Sequence, residues 1–188
     1  MIKRAIRSSP LFEFDKVCDD LDLKKLLPIH KRFVAEYVRV FKPVCVGLDV
    51  LQGDKHVGFG YLLPTLTTML AKLEMLLDRN PRTNVNPLTI CEPLVLALKA
   101  GIQQRFADVF TNDDAKLAAV LTLKFKLDWI DHESEKTNVT TMLESRVAST
   151  SSSSCAYPGS HSQPSVEPDI AEDFFSDLAA RRKRLYTH

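Results

Sequence analysis

Apolar residues recur at helical intervals through the middle of the chain. Phe33, Tyr37, Phe41, Val44, Leu48 and Leu51 step by 4, 4, 3, 4 and 3, which draws one apolar stripe down a helix of about 29–52. Pro43 lies inside the stripe, but the register survives across it, so the spacing predicts one kinked helix. Gln52-Gly53-Asp54-Lys55 stops that helix, and Gly58-Phe59-Gly60 leads into the next. Leu62, Leu66, Met69, Leu73 and Leu76 predict a second amphipathic helix, about 62–78, with Pro64 in its first turn. Asn80 to Pro87 is a loop by composition.

A third helix opens near Cys91-Glu92-Pro93, and Leu94, Leu98, Ile102, Phe106 and Val109 carry its face to about Phe110. Thr111-Asn112-Asp113-Asp114 supplies side-chain acceptors and negative charge for the start of a fourth, Ala115 to Leu121. Residues 122–130 alternate apolar and polar, so a short strand is the alternative there. Glu133 to Ala148 is weakly periodic and reads as a surface helix. The expected fold is therefore mainly α, an amphipathic helical bundle over 21–148. Residues 1–20 read as a loose N-terminal arm, and 149–188 as a disordered Ser/Pro-rich linker and basic tail. From Ser149 to Pro168 there is almost nothing to bury against the ordering entropy. A short amphipathic patch, Phe174-Phe175-Ser176-Asp177-Leu178, and the cluster Arg181-Arg182-Lys183-Arg184 come after it.

Composition narrows the function classes. The 188 residues are 45% hydrophobic and 26% charged, which excludes a collagen, a disulfide-dense mini-protein and a wholly disordered chain. Six glycines are a poor supply for a sandwich or barrel built on tight turns. The net charge of +1 gives no global field to draw in nucleic acid or anionic lipid. Cys18, Cys45, Cys91 and Cys155 have no zinc-ligand spacing; Cys45 and Cys91 read as small buried hydrophobes in a reducing compartment. The basic start of the chain lacks an apolar signal core, and no apolar run approaches the ~20 residues of a membrane span. Asn138-Val139-Thr140 matches a glycosylation sequon, read as chance.

Catalytic signals are weak. The glycines from Gly53 to Gly60 fail as a P-loop, since Phe59 follows Gly58, and as a dinucleotide fingerprint, since no strand precedes them. Asp19-Asp20 reads as a solvated turn and Asp113-Asp114 as a helix cap, because two-metal chemistry needs carboxylates from separate elements. His30, His56, His132, His161 and His188 are scattered, without an i, i+4 partner. Lys124-Phe125-Lys126 with Trp129 sets positive charge beside aromatics, a pattern that serves a nucleic-acid strand; a half-buried segment with solvated lysines is the favoured alternative. Arg181, Arg182, Lys183 and Arg184 read equally as a nuclear-localisation or phosphate-binding cluster and as a solvated tail.

Several segments, taken in order, carry a resemblance. They are Phe41-Lys42-Pro43-Val44, Leu48-Asp49-Val50-Leu51-Gln52-Gly53-Asp54, Gly60-Tyr61-Leu62-Leu63-Pro64-Thr65-Leu66, Pro93-Leu94-Val95-Leu96-Ala97-Leu98, Gln104-Arg105-Phe106, and Leu117-Ala118-Ala119-Val120 through Lys124-Phe125-Lys126-Leu127-Asp128-Trp129. Together, over about residues 25–145, they resemble the hAT transposase family, in particular degenerate copies found beside BED-type zinc fingers. The resemblance implies the all-helical insertion of an RNase-H-like fold. The family's metal-binding acidic triad, its Ser-Glu-Arg-type motif and its zinc finger have no counterpart here, so no catalytic, metal or cofactor residue is carried over. One departure is local: Leu123 stands where the family often has proline. The resemblance thus implies a truncated, catalytically inactive, transposase-derived protein, nuclear and DNA-associated. The alternatives are a helical protein-interaction module, with a protein partner or self-association, and a relic without activity. No cofactor and no membrane are expected.

Overall fold

The computed structural model describes residues 11–22, 24–53, 58–79, 86–150 and 173–178. Among these the chain is helical and contains no strand. In chain order the helices are α1 (Leu11–Asp20), α2 (Pro28–Leu51), a 3-10 turn (Phe59–Tyr61), α3 (Leu62–Leu77), α4 (Glu92–Arg105), α5 (Ala107–Thr111), α6 (Asp113–Leu121) and α7 (Glu133–Thr150).

The bundle is built around α3. Leu63, Pro64, Thr65, Leu66, Thr68, Met69 and Leu73 are all buried, so this helix is covered on most of its circumference. It packs against α2, α4, α6 and the 3-10 turn. A main core gathers Val50, Leu63, Leu66 and Met69 with Ala115, Ala119, Phe125, Trp129, Ile130 and Val139. A second, smaller core joins Val40 and Leu73 to Leu88, Cys91 and Val95.

Helix α2 runs unbroken through Pro43, but its most buried face is not the expected stripe. Glu36, Val40, Pro43, Gly47 and Val50 face inward, one residue (about 100°) around the helix from the aromatic row. Phe33 and Leu48 remain 44% and 47% exposed. Closeness of approach explains the choice. A Cβ on Gly47 would collide with Met69, with Thr65 and Phe174 just beyond it, so small side chains let α3 come near. The rings of Phe33, Tyr37 and Phe41 instead stack along the flank, with centroids 5.8 and 4.5 Å apart.

Two further expectations are corrected, and one alternative is set aside. Residues 11–20, expected as part of a loose arm, form α1, with Cys18 buried. Ten residues hold too few repeats to stand out as periodic, and so short a helix is stable only through tertiary burial. The helix expected to run to Phe110 breaks at Phe106, and α5 carries Val109 and Phe110 against the main core. The alternating stretch after α6 is a run of turns rather than a strand. The amides of Phe125 and Lys126 both donate to the Thr122 carbonyl, and Lys126 takes a positive φ of 50°. Asn112 behaves as its sequence context requires: its side chain accepts from the Ala115 amide at 2.9 Å and caps α6.

Gly60 sets the distance between the 3-10 turn and α6. A Cβ there would run into the Ala118 carbonyl and the Thr122 hydroxyl, which are already hydrogen-bonded to each other at 2.8 Å. Gly60→Ala is expected to cost about 1–3 kcal/mol, read as a lowered denaturant midpoint. Gly58→Ala, with nothing within 4 Å of its new methyl, is the control and should stay within about 0.5 kcal/mol.

Candidate functional site

Two places concentrate the chemistry of the molecule. The first is a cleft in the main core filled by residues 173–178, a stretch expected to belong to a disordered tail. Phe174, Phe175 and Leu178 are 4%, 4% and 7% exposed and join the main core. Edge-to-face rings run through this region: Tyr61 meets Phe125 at 4.8 Å, Phe125 meets Phe175 at 4.8 Å, and Phe175 meets Phe174 at 5.1 Å. Two lysines flank the aromatics. Lys72 lies 5.7 Å from the Phe174 centroid and bonds the Asp177 carboxylate at 2.8 Å. Lys124 lies 5.4 Å from the Phe175 centroid.

The second place is the Glu36 carboxylate, 5% exposed on α2. It accepts from the Thr89 hydroxyl at 2.7 Å and from the amides of Thr89, Ile90 and Cys91 at 2.8–3.1 Å. These groups lead into α4, whose N-cap, Cys91, offers no capping side chain. Glu36 therefore satisfies the amides of the turn that leads into α4, as far as its N-cap residue Cys91, rather than those of the first helical turn itself. Arg32, one turn earlier, stands 3.5 Å from the carboxylate. Burial pushes the Glu36 carboxyl up, but the Thr89 hydroxyl and the three amides outweigh it and bring it from 4.5 down to about 2. Burial, and then the Glu36 charge, push the neighbouring Cys91 thiol up, which disfavours the reactive thiolate.

The residues singled out in the sequence are not brought together. Lys124 and Lys126 are exposed on the turn after α6, which Trp129 fastens by donating its indole N–H to the Lys126 carbonyl at 3.0 Å. Arg181, Arg182, Lys183 and Arg184 lie outside the described residues. Asp114 pairs with Arg146 of α7 at 3.0 Å, and Asp19 with Lys25 at 2.7 Å. Among the described residues no group of three or more His, Cys, Asp and Glu side chains is placed to hold a metal ion. No described helix is long and apolar enough to cross a membrane. An open groove of about 770 Å³ is lined by Thr67, Leu70, Glu74, Lys99, Gln103 and Asp131, and Lys99 pairs with Glu74 there.

Sequence reasoning passed over Glu36. The available signal is indirect: Cys91 opens a helix with no Ser, Thr, Asp or Asn at the cap, which marks its approach as a place where backbone amides lack a local acceptor.

The lowered carboxyl pKa makes a signed prediction. Stability from the ionised Glu36 is fully present above about pH 4.5 and is lost as pH falls toward 2. At about 1.4 kcal/mol per pH unit, the anchor is worth about 3 kcal/mol at neutral pH. Glu36→Gln should lower unfolding stability by about 2–3 kcal/mol at pH 7. Its deficit against the unsubstituted chain should shrink to under half at pH 3. Equal deficits at both pH values in denaturant titrations would rule out the carboxylate charge as the cause. No known protein family, curated protein or solved structure matches the chain.

Proposed function

We propose that this chain is a non-catalytic helical interaction module, whose working surface is the cleft occupied by residues 173–178. The observation that carries this reading is the seating of Phe174, Phe175 and Leu178 in the main core by a segment far along the chain from the rest of that core. A bundle that completes its core with a remote short segment presents a groove for an amphipathic helix. The resemblance adds an origin to this proposal: descent from the helical insertion of a hAT transposase. What supports that descent is the order of the segments that carry the resemblance and the helical fold such an insertion calls for. A nuclear location would rest on Arg181 to Arg184.

Phe174→Ala/Phe175→Ala in the full chain tests the module reading. It should keep most far-UV helicity, raise the fluorescence of an apolar-surface dye several-fold, and bring on concentration-dependent scattering. Unchanged dye uptake would mean that the segment covers no interaction surface.

A second reading, DNA association, is favoured by the exposure of both Lys124 and Lys126 on one fastened turn. Duplex affinity rests on phosphate neutralisation, so Lys124→Ala/Lys126→Ala should reduce the slope of log K against log salt by about 2. Absence of binding at 50 mM salt would remove this reading.

A further inference from the structure

Resting on the interaction-module reading, we propose that the cleft is a binding site for a short acidic, di-aromatic helix of a partner protein. The pattern is acidic–aromatic–aromatic–x–acidic–leucine, and residues 173–178 (Asp-Phe-Phe-Ser-Asp-Leu) are its tethered, displaceable stand-in.

The walls of the cleft specify this chemistry. Phe125, itself met edge-on by Tyr61, offers a ring that suits an aromatic side chain of the occupant. Lys72 reads two features of the occupant at once, the face of the first aromatic and the carboxylate three residues on. Lys124 covers the second aromatic. Aromatic rings beneath two lysines favour an acidic peptide over a basic or neutral one.

Displacement is a consequence of how the stand-in is held. A six-residue helical turn does not stand on its own, so the cleft shapes it. The contacts that hold it are side-chain contacts, which a peptide of the same pattern from another chain makes equally well. Residues 151–172 join it covalently to α7, so it competes from within the same chain without any added contact. The fit is also incomplete. The buried Thr68 hydroxyl has no hydrogen-bond partner among the described residues, and Thr68 lines a gap of about 20 Å³ with Trp129, Asp177 and Leu178. A partner that sets a polar group there gains a bond that residues 173–178 do not make. A second copy of this chain would bring only the same imperfect segment and would compete without the tether, so the cleft favours a different protein.

The test uses the full chain and a fluorescein-labelled peptide of residues 169–180. The chain carrying Phe174→Ala, Phe175→Ala and Leu178→Ala should bind this peptide at least tenfold more tightly than the unsubstituted chain, whose own segment competes. The same three alanines in the peptide should abolish binding. Lys72→Glu in the alanine-bearing chain should weaken binding about fivefold, and a peptide with Asp177→Lys should recover it, a result that a merely structural lysine would not produce. To guard against unfolding of the alanine-bearing chain, a second measurement uses the unsubstituted chain labelled at its C-terminus: millimolar unlabelled peptide should lower the label's anisotropy as the tail leaves the cleft. A folded alanine-bearing chain that takes up dye but no peptide would overturn this inference and leave the module reading standing. Unchanged anisotropy at millimolar peptide would overturn it as well. Doubling of the unsubstituted chain's mass by tail exchange, without peptide, would reassign the cleft to a second copy.

Discussion

The architecture depends on one constraint: the first turns of α3, Leu63 to Met69, are too apolar to leave any broad face in water. The buried residues of this helix span Leu63 to Leu73 and point in several directions around it. Each neighbour is placed by the need to cover part of it. Helix α2 takes one side through its small residues, α4 another, and α6 with the 3-10 turn a third. What these leave open near Met69 and Phe125 is closed by Phe174 and Phe175. The role of the C-terminal segment is therefore a consequence of α3, because an uncovered patch there would cost roughly 25 cal/mol for every Å² of apolar surface.

Local order was legible in the residues wherever a signal repeats within a few turns. The limits of α2 and α3, the Asn112 cap and the surface helix from Glu133 all arise from spacing and end chemistry. The face of α2 was not legible. The aromatic row from Phe33 to Leu51 is the stronger hydrophobic signal, yet Val40, Pro43 and Gly47 win the interior because interhelical distance, rather than side-chain hydropathy, decides which face can be packed tightly. The alternating stretch from Thr122 misled for a related reason. Alternation marks a strand only where a second strand exists to pair with, and here Phe125, Trp129 and Ile130 are drawn into a helical core while their backbone turns back on Thr122.

The two most informative features were hidden by distance along the chain. Glu36 bonds residues 53 to 55 positions away, and Lys72 meets Asp177 across 105. No periodicity spans such separations. Each still left a one-sided trace: a helix start at Cys91 with no capping side chain, and a phenylalanine pair in a segment otherwise poor in apolar residues. Each trace says that a partner is needed, without saying which residue supplies it.

The two cores are closed by different physics, and the interaction-module proposal builds on that difference. The smaller core is locked by a buried carboxylate held by four donor groups, so opening it breaks all four of these charge-assisted bonds together. A surface that must be exposed for use cannot carry such a penalty. The main core is closed by rings and a leucine of residues 173–178, with its ion pair at the partly solvated rim, so lifting that segment breaks no buried charge-assisted bond. The interaction-module proposal therefore assigns recognition to the main core and stability to the smaller one. The residues that anchor the fold and those that could meet a partner stay on separate parts of the bundle, joined through α3.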